Sequence, residues 1–370
     1  MGGFPRVIVD LEALSHNLEK IRSKAAGCRV MAVVKANAYG HGLVAVARAL
    51  SAADALAVAR IDEALSLREA GVGNAIVLLE GVFNEAEMAL AAQHDLTLVV
   101  HNEDQLGLLE SYPGKREFRC WLKVDTGMHR LGFTTGQARN AMARLLACKA
   151  ARGPADGRPG LMTHLASSEL PADEGTAEQL RVFSELADGW PGAVSIANSA
   201  AILLRPATCT GWVRPGLALY GASPVPGTTG HDFGFRPAMK FVTRLISIKT
   251  VPAGGRVGYN GAWAARTESR VGIAAAGYGD GYLRSMKNGT PVMVEGQRGR
   301  LVGRVSMDMI AIDLGSVKGA QEGSEVLLWG GEGLAVEEVA EYAGSIPYEL
   351  LCNVSARVVT EYEAGPEALA

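Results

Sequence analysis

The chain has 370 residues, enough for one large domain or two ordinary ones, and its 48% hydrophobic and 20% charged residues are those of a soluble globular protein. A net charge of −3 gives no reason to expect nucleic acid, and five widely spaced cysteines without a C-x-x-C pair argue against a disulfide framework and a zinc site. No apolar run is long enough to span a bilayer, and the opening Met1–Arg6 lacks the basic start and apolar core of a signal peptide. The expected setting is therefore cytoplasmic and reducing, with no membrane partner and no metal.

A first β-type run, 6–10, precedes a helix beginning near Leu11 and stands apart from the strand–helix alternation that begins at residue 29; residues 1–10 are expected to pair with the C-terminal domain. Further runs lie at 29–34, 55–59, 75–79, 96–100, 118–124, 161–165, 194–197 and 217–220. Amphipathic helical stretches separate most of them, as at 63–71, which Gly71 closes. Alternating strands and helices imply a parallel sheet, and eight such runs in about 220 residues fit a (β/α)8 TIM barrel, with an open doubly wound sheet as the alternative. After Arg236-Pro237 the texture changes. Strands are expected at 241–251, 270–276, 291–294, 300–305, 310–314 and 326–329, with turns at Gly254-Gly255, Asn288-Gly289 and Gly330-Gly331 and one clear helix at 335–343. The expected architecture is an N-terminal barrel over 1–236 and a C-terminal, mainly antiparallel β domain over 237–370.

Lys35 ends the first barrel run. A lysine at the mouth of a core strand is costly to desolvate and needs a reason. Either it snorkels to the rim, or its amine attacks an aldehyde cofactor to form a Schiff base. Barrel active sites form at the C-terminal ends of the strands, and phosphate often binds after strands seven and eight. That rule gathers Lys35, Arg130 after the fifth run, His164 ending the sixth, Asn198 and Ser199 after the seventh, and Arg214-Pro215-Gly216-Leu217 opening the eighth. Singly, each has a structural reading: a core histidine, a surface arginine, a helix-capping serine, an ordinary Lys123–Asp125 ion pair. Their convergence on one rim favours the functional reading. The glycines at 277–281 lie among β-type residues and do not form a dinucleotide fingerprint.

The string Lys35-Ala36-Asn37-Ala38-Tyr39-Gly40-His41-Gly42 closely resembles the lysine motif of alanine racemases, enzymes that use pyridoxal 5'-phosphate (PLP). The blocks 123–132, 212–216, 257–260, 276–282, 303–308 and 346–352 extend the resemblance through nearly the whole chain. It implies that Lys35 forms the Schiff base with PLP and exchanges a proton on one face of the substrate. Tyr259 would work on the opposite face, reaching in from the second subunit of a homodimer. Tyr39, Ser199, Gly216, Leu217 and Tyr348 match the phosphate-binding group, with Asn198 beside Ser199 at the cofactor. Arg214 faces the pyridine nitrogen, and His164 links it to the catalytic tyrosine. Arg130 and the backbone of Met307 match the substrate-carboxylate site, Lys123 a lysine that some members carry as a carbamate, and Tyr278 and Asp308 the entrance or pocket.

Ser306 stands where many members have cysteine and His129 where many have glycine, and the tail after Cys352 diverges. The implied reaction interconverts L- and D-alanine, supplying D-alanine for peptidoglycan or serving alanine catabolism. Racemisation requires an electron sink and a base on each face, with roles that swap by direction. A racemase of broader amino-acid range is the alternative. A barrel decarboxylase would place an acid where Arg214 stands, and a single-barrel PLP carrier lacks a β domain.

Overall fold

The computed structural model describes residues 3–154, 157–331 and 333–363. The expectations for residues 1–2 and for the tail 364–370 therefore lie outside the described residues. Eight parallel strands close a barrel: Arg29–Val33, Ala55–Val58, Ile76–Leu78, Leu96–Val100, Phe118–Lys123, Gly160–Met162, Val194–Asn198 and Trp212–Arg214. Trp212 pairs with Arg29 to close the ring. The strands are near-continuous apolar runs because both faces are covered, and Ala55–Val58, Ile76–Leu78 and Leu96–Val100 are buried at every position. Inside, Trp121 stands edge-on to Trp212 at 5.9 Å. Gly160 lies against the Trp121 ring, where a Cβ would collide with it.

The eighth strand corrects the sequence reading. The run 217–220 is a 3-10 turn, Leu217–Tyr220, and the strand is Trp212–Arg214, so Arg214 closes it and does not open it. Leu217–Tyr220 is buried throughout, so its apolar run reflects core packing and not strand pairing. Six-residue Pro347–Cys352 is helical, with proline at its first turn, whereas the sequence pattern marks only 335–343 as clear helix in this domain.

The second sheet is mainly antiparallel and also closes. In its long strand Met239–Val251, residues 241–244 pair with Glu325–Trp329 and residues 245–251 with Ser269–Ala274, with a register shift between Leu245 and Ser247. Ile310–Asp313, Gln297–Val302 and Pro291–Val294 complete the ring. Phe241, Trp329 and Tyr282 pack in its core. Arg6–Asp10 joins this sheet, antiparallel to Met239–Val251 and parallel to Val359–Glu363. The chain thus starts in the second sheet before entering the barrel. The next helix, Leu11–Lys24, is fastened by buried Asn17, whose amide donates to the carbonyls of Leu219 and Arg236 and accepts the Arg236 N–H. Among the described residues no helix is long and apolar enough to cross a membrane.

Candidate active site

The C-terminal rim of the barrel opens into a cavity of about 660 Å³. Its lining brings together Lys35, Tyr39, Lys123, Arg130, His164, Asn198, Ser199, Arg214, Gly216 and Tyr348. These come from barrel strands one, five, six, seven and eight, and from the short helix Pro347–Cys352.

Lys35 follows the first strand, whose sheet bonding continues through the Val34 N–H to the Ala57 carbonyl. Behind it the backbone enters a left-handed turn: Ala36, Asn37, Ala38 and Tyr39 have φ of 55°, 52°, 53° and 52°. For residues bearing a Cβ this conformation costs roughly 1–2 kcal/mol each, so the surrounding bonds must hold it. The Gly40 N–H donates to Ala36 and the Gly42 N–H to Asn37. Gly40 itself has φ 80°, and a Cβ there would run into the Leu351 carbonyl of the helix that carries Tyr348. The turn therefore presents Tyr39 beside Tyr348, with ring centroids 5.9 Å apart, and stacked on Tyr220 at 4.7 Å. Burial raises the Tyr39 phenol well above its ordinary value and Tyr348 to about 12, so both hydroxyls stay protonated as donors.

Opposite lies a small cradle. The Ser199 hydroxyl oxygen accepts the N–H groups of Gly216 (2.8 Å) and Ala218 (3.3 Å), which leaves its own proton free to donate. A Cβ on Gly216 would stand 2.5 Å from the Tyr39 Oη, so only glycine permits this approach. Asn198 caps the following turn: its side-chain oxygen accepts the Ala201 N–H and the Ser168 hydroxyl. Leu217, next to Gly216, is fully buried.

Arg214 is 6% exposed, and its guanidinium donates to the Ser195 hydroxyl and to the carbonyls of Thr163 and Ile196. Among the described bonds none joins it to the His164 ring. Burial lowers its pKa to about 10, which leaves it cationic at neutral pH. Burial first, then Arg214, Lys123, Arg130 and Lys35, hold His164 well below its usual range, so it is neutral. Lys123 is lowered to about 8 by burial and by Arg214, Arg130 and Lys35. The Lys123–Asp125 ion pair weighed from sequence does not form. Asp125 accepts the N–H groups of Gly127 and His129, and so shapes the loop that ends in Arg130. His129 has φ 56°, a conformation that favours glycine. Four basic side chains, Lys35, Lys123, Arg130 and Arg214, thus converge on one cavity, which suits an anionic ligand.

Tyr259, Tyr278, Met307 and Asp308 lie outside this cavity, in turns and loops of the C-terminal domain. Tyr259 is 64% exposed, and Tyr278 and Met307 are also exposed. The loops carrying Tyr278 and Met307 are bonded through Tyr278 N–H to Ser306 O and Gly279 N–H to Met307 O. Arg357 braces the same place, donating to buried Asp280 at 2.7 Å, to Asp308 at 2.7 Å and to the Met307 carbonyl. Sequence reasoning singled out neither Arg357 nor Asp280, nor Tyr220, whose hydroxyl donates to Val33 O at the end of the lysine strand. Their roles come from contacts distant in sequence, and no local pattern announces them.

Comparison with known proteins agrees with this geometry. The family model "Alanine racemase, N-terminal domain" matches residues 9–224 and "Alanine racemase, C-terminal domain" residues 238–362. The alanine racemase of Shewanella sediminis is 46% identical over 358 residues, covering 97% of this chain and 99% of its own. The structure of the biosynthetic alanine racemase from Pseudomonas aeruginosa superposes with a TM-score of 0.93 at 41% identity, over 97% of this chain and 99% of that one. The alanine racemase from D-cycloserine-producing Streptomyces lavendulae gives 0.89 at 32% identity, over 99% of both chains. With one domain model matched along the barrel whose rim carries Lys35 and Arg214, and the other along the second sheet, the chain belongs to the alanine racemase family.

Proposed function

We propose that this protein interconverts L- and D-alanine as a PLP-dependent homodimer, with Lys35 of one chain and Tyr259 of the other as the two bases. The observation that carries the reading is the rim itself: Lys35 opens into a cavity lined by four basic side chains beside a cradle that a Cβ on Gly216 would fill. That donor set fits PLP. Ser199, Tyr39, Tyr348 and the backbone at Gly216 and Leu217 would hold its phosphate beside Asn198, Lys35 its aldehyde, and Arg214 its ring nitrogen, with His164 alongside. When bound, PLP supplies the electron sink that makes an amino-acid α-hydrogen removable.

The remaining work belongs to the chain. The Lys35 amine would take or return the α-proton on one face, and the Tyr259 phenol of the second copy would do so on the other. Arg130 and the Met307 backbone would hold the substrate carboxylate, with Tyr278 and Asp308 at the entrance. Arg214 has donors and no acceptor, so an aromatic nitrogen facing it accepts a hydrogen bond and stays unprotonated. The exposure of Tyr259 supports the dimer, because one chain alone leaves that phenol in solvent. Lys123, with a pKa of about 8 and cations around it, is suited to give up its ammonium proton and then, as the neutral amine, to add carbon dioxide as a carbamate with loss of a second proton. Labelled bicarbonate would give a carbamate carbon signal that Lys123→Ala abolishes. The reaction would supply D-alanine for peptidoglycan or serve alanine catabolism.

The test is chiral analysis of alanine after incubation with PLP and L-alanine. Wild type should yield D-alanine, and Lys35→Ala and Tyr259→Phe should lose most of it. PLP uptake without D-alanine would refute the assigned reaction. A panel of other amino acids separates a strict alanine enzyme from one of broader range, and carbon dioxide release would reveal a decarboxylase.

A further inference from the structure

The left-handed turn behind Lys35 is held from outside by two side chains that the reaction does not use. Glu63 lies at the start of the helix Ile61–Glu69, on the next βα unit. One of its oxygens accepts the N–H groups of Ala59 (2.9 Å) and Arg60 (3.3 Å), an ordinary helix-start arrangement. The other reaches across to the N–H of Ala36 at 2.6 Å, the shortest of the three. Ala36 is the first residue of the turn and the immediate neighbour of Lys35. A carboxylate on that amide fixes the Lys35–Ala36 peptide plane, and with it the ψ of Lys35 and the direction of its side chain.

His41 grips the far end. It is fully buried, and its Nδ1 bonds the carbonyls of Tyr39 (2.9 Å) and Ala38 (3.1 Å). The ring packs on Tyr220 at 4.6 Å, the same tyrosine that stacks on Tyr39 and donates to Val33 O. Its Nε2 has no partner among the described residues, so the ring's only hydrogen bonds are to the turn. Four successive residues with a Cβ at positive φ will not persist unaided, and the two grips sit at the two ends of that stretch.

We infer that Glu63 and His41 are positioning residues: a two-ended clamp that keeps the left-handed turn wound and thereby aims the Lys35 amine and the Tyr39 hydroxyl into one cavity. The clamp itself stands on backbone geometry. Its consequence for the cofactor rests on the function proposed above.

Two measurements separate these levels. Hydrogen exchange of the peptide covering residues 35–42 reads the clamp without any cofactor. Glu63→Ala and His41→Phe should speed exchange there by roughly ten- to hundredfold, the loss expected when a hydrogen bond to a charged or buried group is removed. Titration of apoprotein with PLP, followed by its visible absorption and by the rate of borohydride fixation to Lys35, reads the aim of the amine. Both variants should bind PLP roughly tenfold or more weakly and fix it more slowly. Adding Ala36→Gly to Glu63→Ala should restore part of the affinity, because glycine adopts positive φ freely. A helix-capping role alone would lower the thermal midpoint while leaving exchange at 35–42, PLP affinity and fixation rate at wild-type values, and that result would overturn the inference. Should wild type itself take up no PLP, the proposed function fails, while the exchange arm still decides the clamp.

Discussion

Replacing Gly216 with alanine probes the cradle with one methyl group. The new Cβ would lie 2.5 Å from the Tyr39 Oη and 3.2 Å from its Cζ, where ordinary contact begins at 3.4 Å. The phenol must therefore retreat by about 0.9 Å or more. It has little room, being buried, stacked on Tyr220 at 4.7 Å and flanked by Tyr348. Overpacking of this kind costs about 1–3 kcal/mol, and where the crowded atoms are the ligand's own donors that is a loss of roughly 5- to 150-fold in affinity. The assay is PLP titration of the apoprotein, with the thermal midpoint as control. The account predicts weaker PLP binding out of proportion to any loss of stability. Unchanged PLP affinity in a folded Gly216→Ala protein would refute the assignment of this corner to the phosphate.

Three further outcomes are expected from the same structure. Burial lowers His41 to about 4 from an ordinary 6.5, so below pH 6.5 the unfolded chain binds a proton that the native chain refuses. Stability should fall as pH drops from about 6.5 to about 4, by about 3 kcal/mol from this group alone, with depressed His164 acting in the same direction. Denaturant midpoints across that range check it, and His41→Phe should flatten the slope. Asn17→Ala strips three backbone groups of their partner at the junction of the first helix with residues 219–236. It should cost about 1–3 kcal/mol in unfolding free energy while sparing the catalytic rate per bound PLP. Arg214→Glu replaces a permanent donor by a group that can be protonated, and should raise keto-acid release relative to racemisation; unchanged partitioning would count against the arginine's assigned role.

Much of the barrel was legible because strands buried on both faces read as apolar runs, and the rim rule then collected Lys35, His164, Ser199 and Arg214 without knowledge of any contact. The eighth strand was misplaced for a physical reason. Trp212–Arg214 is short and ends in a buried arginine, whereas Leu217–Tyr220 is apolar and buried yet turns. The string Ala36–Tyr39 has no glycine, so its left-handed winding was invisible; tertiary bonds from Glu63 and His41 override local preference. Glu63 reads as an ordinary acid in a first helical turn until the Ala36 amide is seen against it. Tyr259 could be matched to a role from its motif, but its separation from the cavity is a property of chain folding that one linear sequence does not display.

The two-base, two-chain claim is tested most directly by mixing inactive partners. Lys35→Ala and Tyr259→Phe proteins, each nearly inactive alone, are unfolded together, refolded with PLP and assayed for D-alanine. If each site draws its lysine from one chain and its tyrosine from the other, the mixed dimer contains one intact site and one doubly defective site, and activity returns. If both bases come from the same chain, every site in the mixture lacks one of them, and the mixture stays as inactive as its components.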